Sequence, residues 1–243
     1  MTAIEFPEEI NQHARGEKFD HLLVIPITQR GVIRSREASI ATLARGKRIL
    51  HVGCLDHMPL IRDKINAGTW FHRILTDCAS ECLGIDIDQS GIDYVRQEFG
   101  VENIIRADLM TGEGCEQFNQ QSWDIAVFGE VLEHIANPVL FLSRFREFSR
   151  GRVDSVVVTV PNAFRRTNWL SAMRSRERVN SDHYYWFTPY TLCRVLVESG
   201  WKIRTLEHCE FGEPKGITDR VKRAVVRHWP MLADDLVATA DAA

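Results

Sequence analysis

Four short apolar runs in this 243-residue chain end on residues better suited to binding than to packing. ILHV is followed by Gly53-Cys54, LGI by Asp86-Ile87, NIIRA by Asp108-Leu109, and WDIAVF by Gly129-Glu130. A glycine at such a point lets a ligand approach the backbone, and a helix that follows can offer it unpaired N–H groups. Asp86 can accept two hydrogen bonds from neighbouring ribose hydroxyls, and Asp108 can accept one from an exocyclic amine beside the apolar wall of Leu109. Taken in order, these exits fit an adenosine group with a polar tail. Histidines add a second kind of chemistry, because an imidazole can take up a proton near neutral pH. His134 follows Glu133 just beyond the fourth run, and His183 sits in the aromatic stretch SDHYYWF. His51, Cys54 and His57 are not expected to hold a metal, since a strand alternates its faces and structural zinc needs four ligands. No metal centre is expected elsewhere.

The exits act together only if strands and helices alternate, and the punctuation supports that. The segment SREASIATLARG, 35–46, has a capping serine at one end and a terminating glycine at the other, and it leads into a strand at 48–52. Two helical stretches broken at Gly68-Thr69 precede an apolar, acid-tipped run at 82–88 that suits a buried parallel strand. Ser90 is expected to cap the next helix and Gly100 to end it. Strands follow at 103–108, 123–128 and 154–160, with Asn137-Pro138 opening a helix between the last two. Thr188-Pro189 opens another helix, closed by Gly200 before a strand at 201–207. A basic amphipathic helix at 217–229, with Lys215, Arg220, Lys222, Arg223 and Arg227, is expected to cover the sheet, and 236–240 is a last strand. The sum is a doubly wound α/β sheet of about seven strands, whose ligands bind beyond the strands' carboxyl ends.

With 44% hydrophobic and 26% charged residues, the chain can bury a core of one-domain size. A net charge of −3 argues against a nucleic-acid-binding face. No run is long and apolar enough for a signal peptide or membrane span, and the six cysteines lack CxxC spacing. A cytoplasmic protein with reduced thiols is expected.

The motifs LHVGC, LGIDID, IRADL, WDIAVFGEVLEHIANP, VVVTVPN and HYYWFTPYTLCRVLVESGWKI run in order from Arg48 onward. Together they resemble the class I, Rossmann-like S-adenosylmethionine-dependent methyltransferases. The resemblance implies a mostly parallel seven-stranded sheet with an antiparallel last strand. It implies S-adenosyl-L-methionine as cofactor and S-adenosyl-L-homocysteine as product. Gly53 and Cys54 would lie against the methionine part, Asp86 with Ile87 at the ribose, Asp108 with Leu109 at the adenine, and Gly129 and Glu130 at the sulfonium end. Leu55 and His57 stand where further glycines are usual. A subgroup that resembles sugar- and glycan-modifying members has a similar HVGC, Asp-His and Trp-x-His pattern, and by that likeness His57 and His72 would donate to the cofactor carboxylate. The domain would span 47–243, after an extension and leading helix at 1–46, with an acceptor lid at about 162–187.

The implied activity is methyl transfer, in which alignment and water exclusion carry most of the rate. The expected acceptor is an oxygen of a sugar, a glycan precursor of polysaccharide biosynthesis or another small molecule. His183, on the lid, is the first candidate base, with His134 the second. Arg165, Arg166, Arg174, Arg176 and Arg178 beside it suit a phosphate or carboxylate, so an anionic acceptor is expected. Two rival readings are a nicotinamide-dependent oxidoreductase, disfavoured by the missing fingerprint glycines, and a non-catalytic methyltransferase-like partner protein. Retention of both Asp86 and Asp108 argues against the partner role.

Overall fold

The computed structural model describes residues 8–27, 33–214 and 216–242, and Lys215 lies outside the described residues. After α1 (Glu8–Ala14), α2 (Arg36–Ala44) starts where the Ser35 hydroxyl accepts from the Ala38 N–H. It feeds β1 (Arg48–Val52), four of whose five residues are buried. Two helices, α3 (Met58–Asn66) and α4 (Phe71–Cys78), then precede β2 (Glu81–Asp86). The next helix, α5 (Gln89–Phe99), ends on Gly100 at φ 66°, a left-handed position that glycine occupies without steric cost. Its N-cap is Asp88, not Ser90: Asp88 still has extended backbone, whereas Ser90 is already helical and donates its hydroxyl back to Asp88.

Strand β3 (Ile104–Arg106) is shorter than its apolar run, because the Asp108 N–H turns away to the Glu113 carbonyl. There follow α6 (Cys115–Phe118), β4 (Trp123–Gly129), a 3-10 turn at Leu132–His134 and α7 (Pro138–Phe148), which Asn137 caps by accepting from the Leu140 N–H. The β-branched run gives β5 (Val153–Pro161), followed by α8 (Arg166–Ala172) and by α9 (Pro189–Glu198) with its Thr188/Thr191 capping box. Last come β6 (Trp201–Cys209), α10 (Ile217–His228) and β7 (Asp235–Ala242).

The seven strands lie in the order β3-β2-β1-β4-β5-β7-β6. All neighbours are parallel except β7, which is antiparallel to both β5 and β6 and sits between them. Strand order reverses between β1 and β4, the crevice where ligands of such sheets bind. Alternate residues of β1 serve the two faces: Leu50 and Val52 join Phe128 and Phe145 in one core, while Ile49 joins Ile40, Leu75 and Val127 in the other. Helix α10 makes its buried contact through Val226 alone, against Ile33 and Ala233, and leaves Val221, Val225 and Trp229 exposed rather than laid on the sheet. Among the described residues, no helix is long and apolar enough to cross a membrane.

Candidate functional site

At the carboxyl ends of β1, β2 and β4 lies a cavity of about 580 Å³. Gly53 ends β1 at φ 67°, and a Cβ built there would come 2.7 Å from Val131 Cγ2. Across the cavity Glu130 also has a positive φ, 58°, which a residue with a side chain adopts only when its surroundings hold it there. Its N–H donates to the Thr159 carbonyl, and its carboxylate accepts from the Thr159 hydroxyl at 2.9 Å and meets Arg36 at 3.2 Å. Asp86 is fixed in the same way, one oxygen accepting from the Leu55 N–H at 2.9 Å and the other from the Asp88 N–H at 3.1 Å. Burial raises the Asp86 carboxyl above its ordinary value against the pull of those hydrogen bonds. The loop after β1 is thereby tied to β2 without further glycines.

Of the residues singled out from the sequence, Gly53, Cys54, His57, Asp86, Gly129, Glu130, His134 and His183 line this cavity, and His72, Ile87, Asp108 and Leu109 do not. His72 is 1% exposed on the inward face of α4, with Nδ1 3.2 Å from His51 Nδ1. Burial holds both rings well below the ordinary histidine value, His72 at about 4, so the pair is neutral and structural. His72, expected beside a cofactor carboxylate, is placed in the interior and does not line this cavity. Cys54 meets the cavity at its rim, but its sulfur is turned onto Gly84 of β2, where an added Cβ would meet it at 2.7 Å. Leu109 is a core residue and Ile87 is exposed. Asp108, just past β3, accepts from Met110 and Thr111 N–H groups, both at Oδ1.

The histidines named separately in the sequence converge. Ring centroids of His57 and His134 are 5.9 Å apart, and those of His134 and His183 are 4.6 Å apart, edge to face. The segment between α8 and α9, expected to be a lid, is fastened beside them by the Tyr184 N–H to the Glu133 carbonyl at 2.7 Å and by the Tyr185 hydroxyl to the Ala136 carbonyl at 2.8 Å. His134 Nδ1 lies 3.2 Å from the Asp182 carbonyl, which can only accept, so Nδ1 carries the proton and Nε2 keeps its lone pair. Burial draws both His134 and His183 below the ordinary value, leaving them neutral at pH 7. Glu133 is fully buried beneath them, and among the described residues neither of its carboxyl oxygens has a hydrogen-bond partner. Burial first, and Glu130 second, push its pKa up to about 9. Among the described residues, Glu133, His134 and His183 bring donor atoms within 4.8 Å of one another.

Arg36 forms the floor beside this cluster. It is 8% exposed, reaches Glu37 at 2.9 Å and Asp235 at 4.0 Å as well as Glu130, and lies over the Phe71 and Phe211 rings. Sequence reasoning missed Arg36, Asp235 and the role of Glu133. The one available signal was a cation in the first turn of α2, where the helix dipole disfavours it. Among the five lid arginines, Arg166 is already neutralised by Glu210 at 2.9 Å and Asp234 at 3.5 Å. Arg165 stacks over Trp186 at 4.5 Å, and Arg174, Arg176 and Arg178 are exposed.

The sequence pattern of the family described as Methyltransferase domain matches residues 28–206, well over half of the chain. No curated protein matches at a significant level. Among solved structures, the chain is similar to an S-adenosylmethionine-dependent methyltransferase from Mesorhizobium loti (15% identity, 84% of this chain and 95% of that one covered, TM-score 0.50). It is similar to the methyltransferase domain of bacterial CtHen1-CN (14% identity, 85% and 97% covered, TM-score 0.53). A third likeness is to magnesium protoporphyrin IX methyltransferase from Synechocystis PCC 6803 with bound SAH (11% identity, 85% and 82% covered, TM-score 0.51). At such identities the likeness speaks for the fold, and the family match supplies the rest: the chain belongs to the methyltransferase-domain family and has the class I S-adenosylmethionine-dependent methyltransferase fold.

Proposed function

We propose that this protein methylates an oxygen of a small-molecule acceptor, with an anionic sugar or glycan precursor as the acceptor class. The observation that carries the reading is the meeting, in one cavity, of a ligand-approach glycine and a fixed carboxylate with a proton-handling cluster, Glu133, His134 and His183. The open backbone at Gly53 and the His57 side chain would hold the methionine end of S-adenosylmethionine, Asp86 its ribose, and Gly129 and Glu130 its sulfonium end. Asp108 and Met110, on the adjoining surface, would take the adenine. When bound, this cofactor supplies an electrophilic methyl group.

The chain's own residues do the remainder. The lid fastened by Tyr184 and Tyr185 keeps water from the acceptor and aligns it, which is where most of the acceleration of a displacement lies. A neutral imidazole with its Nε2 lone pair free, as at His134, can accept the acceptor's hydroxyl proton at physiological pH. The exposed Arg174, Arg176 and Arg178 give the lid a surplus of positive charge suited to a phosphate or carboxylate.

Calorimetry with S-adenosylhomocysteine and with NADH tests the cofactor. The native protein is expected to bind only the former, and Asp86→Ala to weaken it by about tenfold to a hundredfold, the worth of a charge-assisted hydrogen bond. Binding of NADH alone, or no heat with either, overturns the reading. Transfer of labelled methyl to phosphorylated and nucleotide-linked sugars, against their neutral counterparts, tests the acceptor class.

A further inference from the structure

We infer that Glu133, His134 and His183 form a binding site for a divalent first-row transition cation, for which Mn²⁺ is the probe. Three side chains from two distant segments, the turn after β4 and the lid, bring one carboxylate oxygen and two imidazole nitrogens within 4.8 Å of one another. Ligands of a single such ion, at bonds of about 2.1 Å, stand roughly 3–4 Å apart. His183 lies on the irregular segment between α8 and α9, where a small shift would close the remaining gap.

Two independent observations point into this cluster. Glu133 is fully buried and both its carboxyl oxygens lack partners, and His183 Nδ1 is likewise buried and unpaired. Buried polar groups are nearly always hydrogen-bonded, and a carboxyl group left in the interior with no partner at either oxygen is destabilising unless it meets one, such as a cation. The second observation is the orientation of His134. Its Nδ1–H donates to the Asp182 carbonyl, which fixes the tautomer and leaves the Nε2 lone pair free, the outer-shell arrangement that metal-binding histidines use.

The donor set selects the ion. Mg²⁺ and Ca²⁺ prefer oxygen ligands throughout, and structural zinc closes its shell with four protein ligands. One carboxylate and two imidazoles leave positions open toward the cavity and suit Mn²⁺, Fe²⁺ or Co²⁺. The chemical role of the ion rests on the O-methylation reading, with Glu130 in place of His134 as proton acceptor, since the Nε2 lone pair is then spent on the ion. A cation at this point draws electron density from an acceptor hydroxyl and lowers its pKa. The hydroxyl proton then passes to the Glu130 carboxylate in the same cavity as the O–C bond forms, and the C–S bond breaks with its electron pair left on sulfur.

The test uses the whole chain, stripped with a chelator and titrated with Mn²⁺ while the free-ion electron paramagnetic resonance signal is followed. One Mn²⁺ per chain should leave the free signal, and Glu133→Gln and His183→Asn should each raise the dissociation constant by about tenfold or more. An equal concentration of Mg²⁺ should not displace it. Far-ultraviolet circular dichroism checks that each variant is folded, and the lid position of His183 makes its variant independent of the core. Mn²⁺ binding that is absent, unchanged in folded variants or displaced by Mg²⁺ overturns the inference. Parallel calorimetry with S-adenosylhomocysteine keeps the two readings apart. Cofactor binding without Mn²⁺ binding leaves the methyltransferase reading standing with His134 as base, and the reverse leaves only the cation site.

Discussion

Replacing Gly53 with alanine probes how the two walls of the cavity are fitted to each other. At φ 67° the backbone is left-handed, and a Cβ there costs roughly 1–2 kcal/mol. The new carbon would also lie 2.7 Å from Val131 Cγ2, well inside ordinary contact. Val131 cannot yield easily. Its χ1 is stiff, and it sits between Glu130 at φ 58° and the turn Leu132–His134. Overpacking of this kind costs about 1–3 kcal/mol, so the variant should lose roughly 2–5 kcal/mol altogether. Urea unfolding should show a lower midpoint at unchanged slope. Affinity for S-adenosylhomocysteine should fall by more than about tenfold, since relief of the clash moves Glu130 and the turn that carries Glu133 and His134. Gly53→Ala in a Val131→Ala background removes the steric part and keeps the dihedral part. Measured against Val131→Ala alone, the loss should shrink to about 1–2 kcal/mol. A native midpoint for Gly53→Ala, or no shrinkage in the double variant, refutes the argument.

Other perturbations follow from the same geometry. Arg36→Met leaves Glu130 and Asp235 without their buried cation and should lower stability by about 3–5 kcal/mol, read by thermal or urea unfolding; a neutral effect would show that the network carries no load. His72 is held near pKa 4 by burial while its unfolded value is 6.5, so the unfolded chain binds the extra proton between those values and stability falls as pH drops through that window. The worth of this one group is about 3 kcal/mol, and His72→Leu should flatten unfolding free energy between pH 7 and pH 4.5 relative to the native protein. Arg166→Ala should cost stability through the loss of its pairs with Glu210 and Asp234, whereas Arg176→Ala and Arg178→Ala should leave the unfolding midpoint unchanged and raise the KM for a phosphorylated acceptor. Equal KM values for all three variants would remove the lid arginines from acceptor binding.

The sheet was legible because its signals are local. The run VDSVVVTVP has nothing but a strand to become, and Ser35, Asn137, Gly100 and Thr188-Pro189 mark helix ends by chemistry that acts within four residues. Boundaries slipped where a longer contact decided them, as at Asp108, whose N–H leaves the ladder for Glu113. In the site, glycines and acids at strand ends could be named one by one, since each is tied to its own strand. What joins them could not. Whether a histidine on α4 faces the cavity or the interior is a matter of helix rotation, and His72 proves to face inward. The convergence of His57, His134 and His183 depends on the path of the lid, and the buried Arg36 is paired with Asp235, which lies almost 200 residues further along the chain.

The position of β7 has a consequence for assembly on the ribosome. Among the described residues, strand β6 pairs with β7 and with no other strand of the sheet, so the nascent chain emerges with β6 unmated and the flank of β5 open. Both gaps close only when 235–242 arrives and slots between two strands that are already made. Asp235 heads that segment and comes to rest beside Arg36. Arg36, which lines the cavity, acquires this carboxylate at the same late moment, so a stalled or trimmed intermediate would present an arginine short of one anion.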